Sequence, residues 1–349
     1  MTKLLITGYE WHVWPGTENR ATGKGRSVGR FIIRRLLQTI PLMFGITIIT
    51  FIIINLVPGS PVTDLAFNPR ARPEDIARIE ESLGLNDPLH IRYFTWLSHV
   101  ARGDLGLSLK NFRPVSGEIM NRLPNTLLLT ATALAFSLIL AIPVGVYGAV
   151  KRNSWFDNTS TAVSVAGFSM PTFWLALMLI LFFAVQFKEW GLPSMPAGSA
   201  YDLRGGGGFF DRIEHLIMPA FALAFVQTAA WTRYIRSQML EVLSNDYMRS
   251  ARAKGLRQQV VIFRHGLRNA VLPLVTLLGI AIPDLFGGAL VIEQIFTYPG
   301  IGKLAFDATL DNDYPMIMGI TVVAGLLVII GNLIADVCYG LLDPRIRFD

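Results

Sequence analysis

Residues 245–275 read NDYMRSARAKGLRQQVVIFRHGLRNAVLPLV, a polar and basic stretch that runs without a break into an apolar one. Ser244, Asn245 or Asp246 is placed to cap a helix whose first-turn amides lack partners, and Gly255 to end it in the left-handed conformation. The spacing predicts a helix of about two to three turns. On it Ala251, Ala253 and Gly255 are small and let another surface approach the backbone, while Arg249, Arg252 and Lys254 supply charge around the rest. The helix is either a docking element or a basic helix that is merely solvated or bound to lipid headgroups. Spacing alone does not choose between the two.

Composition places the chain in a bilayer. Of its 349 residues 52% are apolar and only 16% charged, with a mean hydropathy of +0.45, far from the balance of a soluble domain. Crossing the hydrocarbon takes about 20 residues of helix. Six apolar runs qualify, at about 36–57, 123–150, 159–187, 216–232, 270–292 and 315–335, and only the fifth contains a charge, Asp284. The expected fold is therefore all-α with six membrane helices.

Basic residues near span ends stay on the cytoplasmic side. The tail to Arg35, the loops 151–158 and 233–269, and the tail from Asp336 hold 19 of the 31 basic residues against 8 of the 25 acidic ones. The loops 58–122, 188–215 and 293–314 hold 12 basic and 16 acidic residues. Both termini are expected inside. The net charge of +6 is then a topology signal and not a nucleic-acid footprint.

Residues 1–30 mix Gly, Thr and charge without periodicity and read as a cytoplasmic extension, in which Trp11 and Trp14 can touch the interface. The first span reads as retained, being too long for a signal peptide and lacking a small-residue cleavage pattern. In the external loop 58–122, PEDIARIEESLGL (73–85) sets Ile76, Ile79 and Leu83 on one face of a short helix, with Gly84 at its end. The lone cysteine, Cys338, reads as a packing residue. Pro143, Pro171, Pro273 and Pro283 remove backbone hydrogen bonds within spans.

The stretch RSARAKGL (249–256), closed by Leu272 and Pro273, resembles the EAA motif of permease subunits of ABC importers. Arg249 stands where the general motif has glutamate, and the gap from Gly255 to Pro273 is long; both features resemble the dipeptide/oligopeptide/nickel branch. So do RRLLQTIPLMFGITIITFIIINLVPGSPV (34–62), RGDLGLS (102–108), RLPNTLLLT (122–130), SMPTFWLALMLI (169–180), FTYPGIGKL (296–304), DYP (313–315) and LLDPRIR (341–347). Ser60 departs from the acidic residue usual in the family before Pro61.

The resemblance implies a type I ABC importer permease fold in a bacterial or archaeal inner membrane, forming half of a translocation pathway for short peptides or similar solutes. It also implies a second related permease subunit, two ATP-binding subunits that use ATP and Mg, and an external substrate-binding protein. The coupling helix that docks on the ATP-binding subunit would be carried by Asp246, Tyr247, Arg249, Ser250, Ala251, Arg252, Lys254 and Gly255. The alternative function is an ATP-independent secondary transporter or channel.

The chain is not expected to hydrolyse ATP, because a phosphate-cradling loop needs Gly, four residues, then Gly-Lys-Ser/Thr. TYPGIGKL comes nearest, but Thr297 replaces the first glycine and Leu304 the hydroxyl residue, so its glycines are read as shaping a turn. No Cys/His cluster has metal-ligand spacing, and His215 and His265 read as interfacial or polar-contact residues and not as ligands. No bound cofactor is expected. Asp284, an acid inside a span, is the candidate pathway residue for a cationic group, with a water- or backbone-bonded acid at the outer mouth as the competing reading.

Overall fold

A computed structural model describes residues 28–56, 74, 80–81, 84–202 and 207–342. The expected amino-terminal extension, the face of Ile76, Ile79 and Leu83, the Ser60–Pro61 step and the last seven residues lie outside the described residues. So do the side chains of Asp284 and Cys338. Among the described residues the ordered elements are helical: α1 (Val28–Leu56), α2 (Leu89–Ala101), α3 (Val115–Val150) and α4 (Trp155–Ser169). Next come α5 (Thr172–Glu189), α6 (Phe209–Ser244), α7 (Asp246–Ala253) and α8, a wide π-helical segment (Val260–Leu267) continued by Arg268–Ala270. The last are α9 (Leu272–Ile295), α10 (Ile301–Leu310) and α11 (Tyr314–Leu342).

Among the described residues five stretches of helix are long and apolar enough to cross a membrane: Leu37–Leu56, Val115–Val150, Thr172–Glu189, Phe209–Ser244 and Tyr314–Ile334. With 24 residues α9 also has the length, about 36 Å at 1.5 Å per residue, and its side chains are described only in part.

Two expectations change. The run 159–187 is not one helix but α4 and α5, divided at Met170 and Pro171. Pro171 has no N–H to give and pushes the residue before it out of the helical region, and Met170 sits at φ −84°, ψ 125°. The run 216–232 is only the apolar middle of α6, which has 36 residues. Hydropathy marked the part that suits lipid, but RYIRSQMLEVLS (233–244) contains no Gly or Pro and simply continues the helix. At about 54 Å, α6 is far longer than the thickness of a 30 Å hydrocarbon layer. α2 was not anticipated, and most of the helix expected at 73–85 is outside the described residues. Its expected end is present: Gly84 has φ +61°, with Gly84 N–H bonded to Glu81 O and Leu85 N–H to Glu80 O, both at 3.0 Å.

α3 and α6 pair along most of their length through small residues, among them Ala133, Ala141, Gly145, Ala220 and Ala224. A Cβ on Gly145 would lie 2.9 Å from Thr232 O, so the two backbones approach as closely as glycine permits. Three buried clusters follow. One joins α3, α5, α6 and α9 around Leu129, Met218, Ile292 and Phe296. A second, around Ile235, Met239, Met248 and Val261, closes the end that carries α7. A third, around Val115, Ile119, Ile301 and Met316, closes the opposite end.

Candidate functional site

α7 sits on the projecting end of α6 and is held there by one apolar face. Met248 is fully enclosed and Ala251, three residues on, is buried beside it. They join Ile235, Met239 and Val242 of α6 and Val261 of α8. The methyl groups of Met239 and Met248 both lie 3.4 Å from the point where a Cβ on Gly266 would sit, so the missing side chain of Gly266 makes room for both. At the start of α7 Asn245 occupies the cap position, with Met248 N–H bonded to its carbonyl at 3.0 Å. Its side chain makes no capping bond, so the expected side-chain cap is replaced by backbone pairing. Gly255 ends the helix as expected, at φ +74° with its N–H on Arg252 O.

The other face is open. Asp246, Arg249, Ser250, Arg252, Ala253, Lys254 and Gly255 are exposed, and so is Tyr247, whose hydroxyl accepts a 3.4 Å bond from Asn269 Nδ2. Arg249 reaches back to Asp246 at 3.4 Å, and Ser250 Oγ donates to Asp246 O. Ala251 departs from its expected place: its small side chain serves packing within the chain, because it falls on the Met248 face. The surface offered outward is thus a polar, basic helix with a tyrosine at one edge. The same end of the bundle carries Lys151, Arg152, Arg233, Arg257, Arg264 and Arg268.

At the opposite end the structure reveals a carboxylate that sequence reasoning counted as a loop charge. Glu293, in the last turn of α9, is fully buried. Its carboxylate accepts Thr126 Oγ1–H at 2.7 Å and Lys303 N–H at 3.0 Å. Thr126 Oγ1 in turn accepts Ile301 N–H at 2.8 Å, and Asn125 Nδ2 donates to Pro299 O at 2.8 Å. The carboxylate therefore lies at the amino-terminal end of α10, where free amides and the helix dipole favour an anion. Gly300 packs directly on it, and a Cβ there would collide with its carboxyl atoms. The glycines of YPGIG admit a glutamate from a neighbouring helix. The readable signal was an acid at the end of an apolar run followed by that glycine pattern.

His215 is nearly buried, with Nδ1 2.9 Å from Asp211 O and 3.2 Å from Asp211 Oδ1, a polar contact as expected. Among the described residues no group of three His, Cys, Asp or Glu is placed to hold a metal ion.

Residues 141–348 match the family described as binding-protein-dependent transport system inner membrane component, and residues 28–130 match the amino-terminal domain of such membrane components. The chain belongs to this family. Its relatives include the oligopeptide transport system permease protein AppB of Bacillus subtilis (strain 168), 46% identical over 319 residues, covering 91% of this chain and 99% of the relative. The dipeptide transport system permease protein DppB of Alkalihalophilus pseudofirmus is 42% identical over 334 residues, with coverage of 91% and 99%. DppB of Escherichia coli (strain K12) is 39% identical over 338 residues, with coverage of 91% and 98%. α7 and Glu293 fall in the 141–348 match, while α1, α2 and Thr126, which bonds Glu293, fall in the amino-terminal one. The chain is a permease subunit of a binding-protein-dependent transport system.

Proposed function

We propose that this permease forms half of the translocation pathway of an ATP-driven importer for short peptides, and that α7 is its coupling helix. The carrying observation is the two-faced build of α7: Met248 and Ala251 fix it to the end of α6, and its other side is exposed. A helix lying on lipid would turn its apolar face to the membrane, whereas here that face is spent inside the chain. The peptide substrate follows from the names of the relatives, which are oligopeptide and dipeptide permeases.

In this reading α1, α3, α4 with α5, α6, α9 and α11 make six crossings, with both termini and α7 in the cytoplasm and α2 and α10 outside. A second related permease completes the pathway as a heterodimer, and an external binding protein delivers the peptide. Two ATP-binding subunits seat on the Asp246–Gly255 segments. When ATP closes those subunits, α7 is displaced, and α6 and α8–α9 carry the displacement into the membrane. Asp284 in α9 is assigned to the pathway, where a carboxylate suits a peptide amino group, and unchanged uptake by Asp284→Asn would remove that assignment.

The experiment is purification of the tagged chain from its native membrane, followed by uptake in proteoliposomes. ATP-binding subunits should co-purify, and peptide uptake should need both ATP and the binding protein. Uptake by the chain alone, without ATP, would instead support a secondary transporter or channel.

A further inference from the structure

An ion pair between a buried carboxylate and a partly exposed arginine lies at the α7 end and is not accounted for by the docking face. Asp157, in the first turn of α4, has no exposed surface. The Arg236 guanidinium of α6 grips it through both arms, Nε on Oδ1 and Nη2 on Oδ2 at 2.8 Å. Asp157 Oδ2 also accepts Asn153 N–H at 2.9 Å, and Asp157 N–H is capped by Ser154 Oγ at 3.3 Å. Asn153 is left-handed, with φ +62°, so the α3–α4 turn is tight and closes on the carboxylate. The last turn of α3 covers the pair, since a Cβ on Gly148 would lie 3.2 Å from Asp157 Oδ1 and 3.8 Å from Arg236 Cδ.

The position of the pair along α6 gives it a mechanical meaning. Arg236 lies one turn before Met239, which shares the Gly266 pocket with Met248 of α7. On the other side, α4 packs on α6 through Gly167, against Phe225 and Ala229, and then breaks at Met170 and Pro171. The pair is thus the polar joint between the helix that carries α7 and the turn that begins the divided α4–α5 crossing. Bidentate guanidinium–carboxylate geometry fixes orientation as well as distance, which a purely apolar contact does not.

We infer that Asp157 and Arg236 are a positioning pair that makes the α3–α4 turn move with α7, so that severing it uncouples ATP turnover from transport. The inference rests on the importer reading above. A pair that only balances charge would give a different result, because replacing a buried ion pair by neutral residues of similar volume often leaves stability intact.

The test uses the complete importer in proteoliposomes with two variants. Asp157→Asn removes the charge alone. Asp157→Asn with Arg236→Met leaves no buried charge unpaired while keeping the arginine stem's volume and an acceptor for Asn153. For the double variant the ATP-binding subunits should co-purify and basal ATP hydrolysis should match wild type, while peptide imported per ATP falls about tenfold. Wild-type import per ATP in the double variant would overturn the inference, and so would loss of assembly, since the pair would then serve folding only. If even the wild-type chain brings down no ATP-binding subunits, the importer reading itself fails, which is a separate result.

Discussion

Gly300→Ala is a one-methyl change whose cost should be large and whose cause should be traceable to a single neighbour. Gly300 has φ −108° and ψ −177°, extended backbone open to any residue, so no conformational strain is added. The new Cβ would collide with the carboxyl carbon and both oxygens of Glu293. That carboxylate cannot retreat freely, because Thr126 Oγ1 and Lys303 N–H both donate to it. Relieving the collision means giving up both of these bonds, and at about 1.5–3 kcal/mol for each bond to a charged group the loss is about 3–6 kcal/mol. Glu293→Ala removes the obstacle but strands two donors, each costing about 1–3 kcal/mol. The double variant should therefore be no less stable than Glu293→Ala alone, a strongly non-additive pair. Reversible unfolding of the purified chain in mixed micelles, titrated with a denaturing detergent, reads all four corners of this cycle. A wild-type midpoint for Gly300→Ala, or costs that simply add, would refute the cradle as described.

Other consequences are as direct. Met248→Ala removes the enclosed side chain that fixes α7 to α6, and should loosen the helix by about 2–5 kcal/mol, seen as faster amide exchange confined to Asp246–Gly255. Tyr93→Phe removes the 2.9 Å bond between Tyr93 Oη and Thr47 Oγ1 that ties α2 to α1, and should lower the unfolding free energy by about 1 kcal/mol while the ring packing on Phe44 and Phe51 persists. The Arg236 guanidinium holds the Asp157 carboxyl below the usual carboxylate range, with the Asn153 N–H adding to the effect against its burial. An acid depressed in the folded state binds more protons when unfolded, so its contribution is complete above the ordinary value near 3.9 and is lost as pH falls through the lower folded value. Melting temperatures of wild type should therefore drop more steeply on acidification below about pH 4 than those of Asp157→Asn, and parallel profiles would contradict the assignment.

What could be read from the chain, and what could not, divides along physical lines. Apolar runs long enough for a bilayer are a property of composition, so the runs 123–150, 216–232 and 315–335 reappear inside single long helices, and 36–57 and 270–292 fall mostly within α1 and α9. The run 159–187 misled because lipid-compatible residues continue through Pro171, which stops a helix without lowering hydropathy. The extension of α6 past residue 232 was hidden for the opposite reason: polarity rises while helical backbone continues. The end of α7 at Gly255 was legible because a left-handed position favours glycine, whatever lies around it. Its two faces were not, since burying Met248 and Ala251 depends on where α6 and α8 come to lie. Glu293 and the Asp157–Arg236 pair join residues far apart in sequence, and no local pattern announces such a contact.

The exposed face of α7 is the central claim, and Ala253→Arg in the complete importer tests it most directly. Ala253 is exposed and helical, so arginine there adds bulk to the open face without the backbone strain that any side chain would bring at Gly255. The account predicts a chain that inserts and folds as before but no longer retains ATP-binding subunits in a pull-down, with peptide-stimulated ATP hydrolysis lost. Full retention and wild-type turnover would show that the face is not where the motor sits.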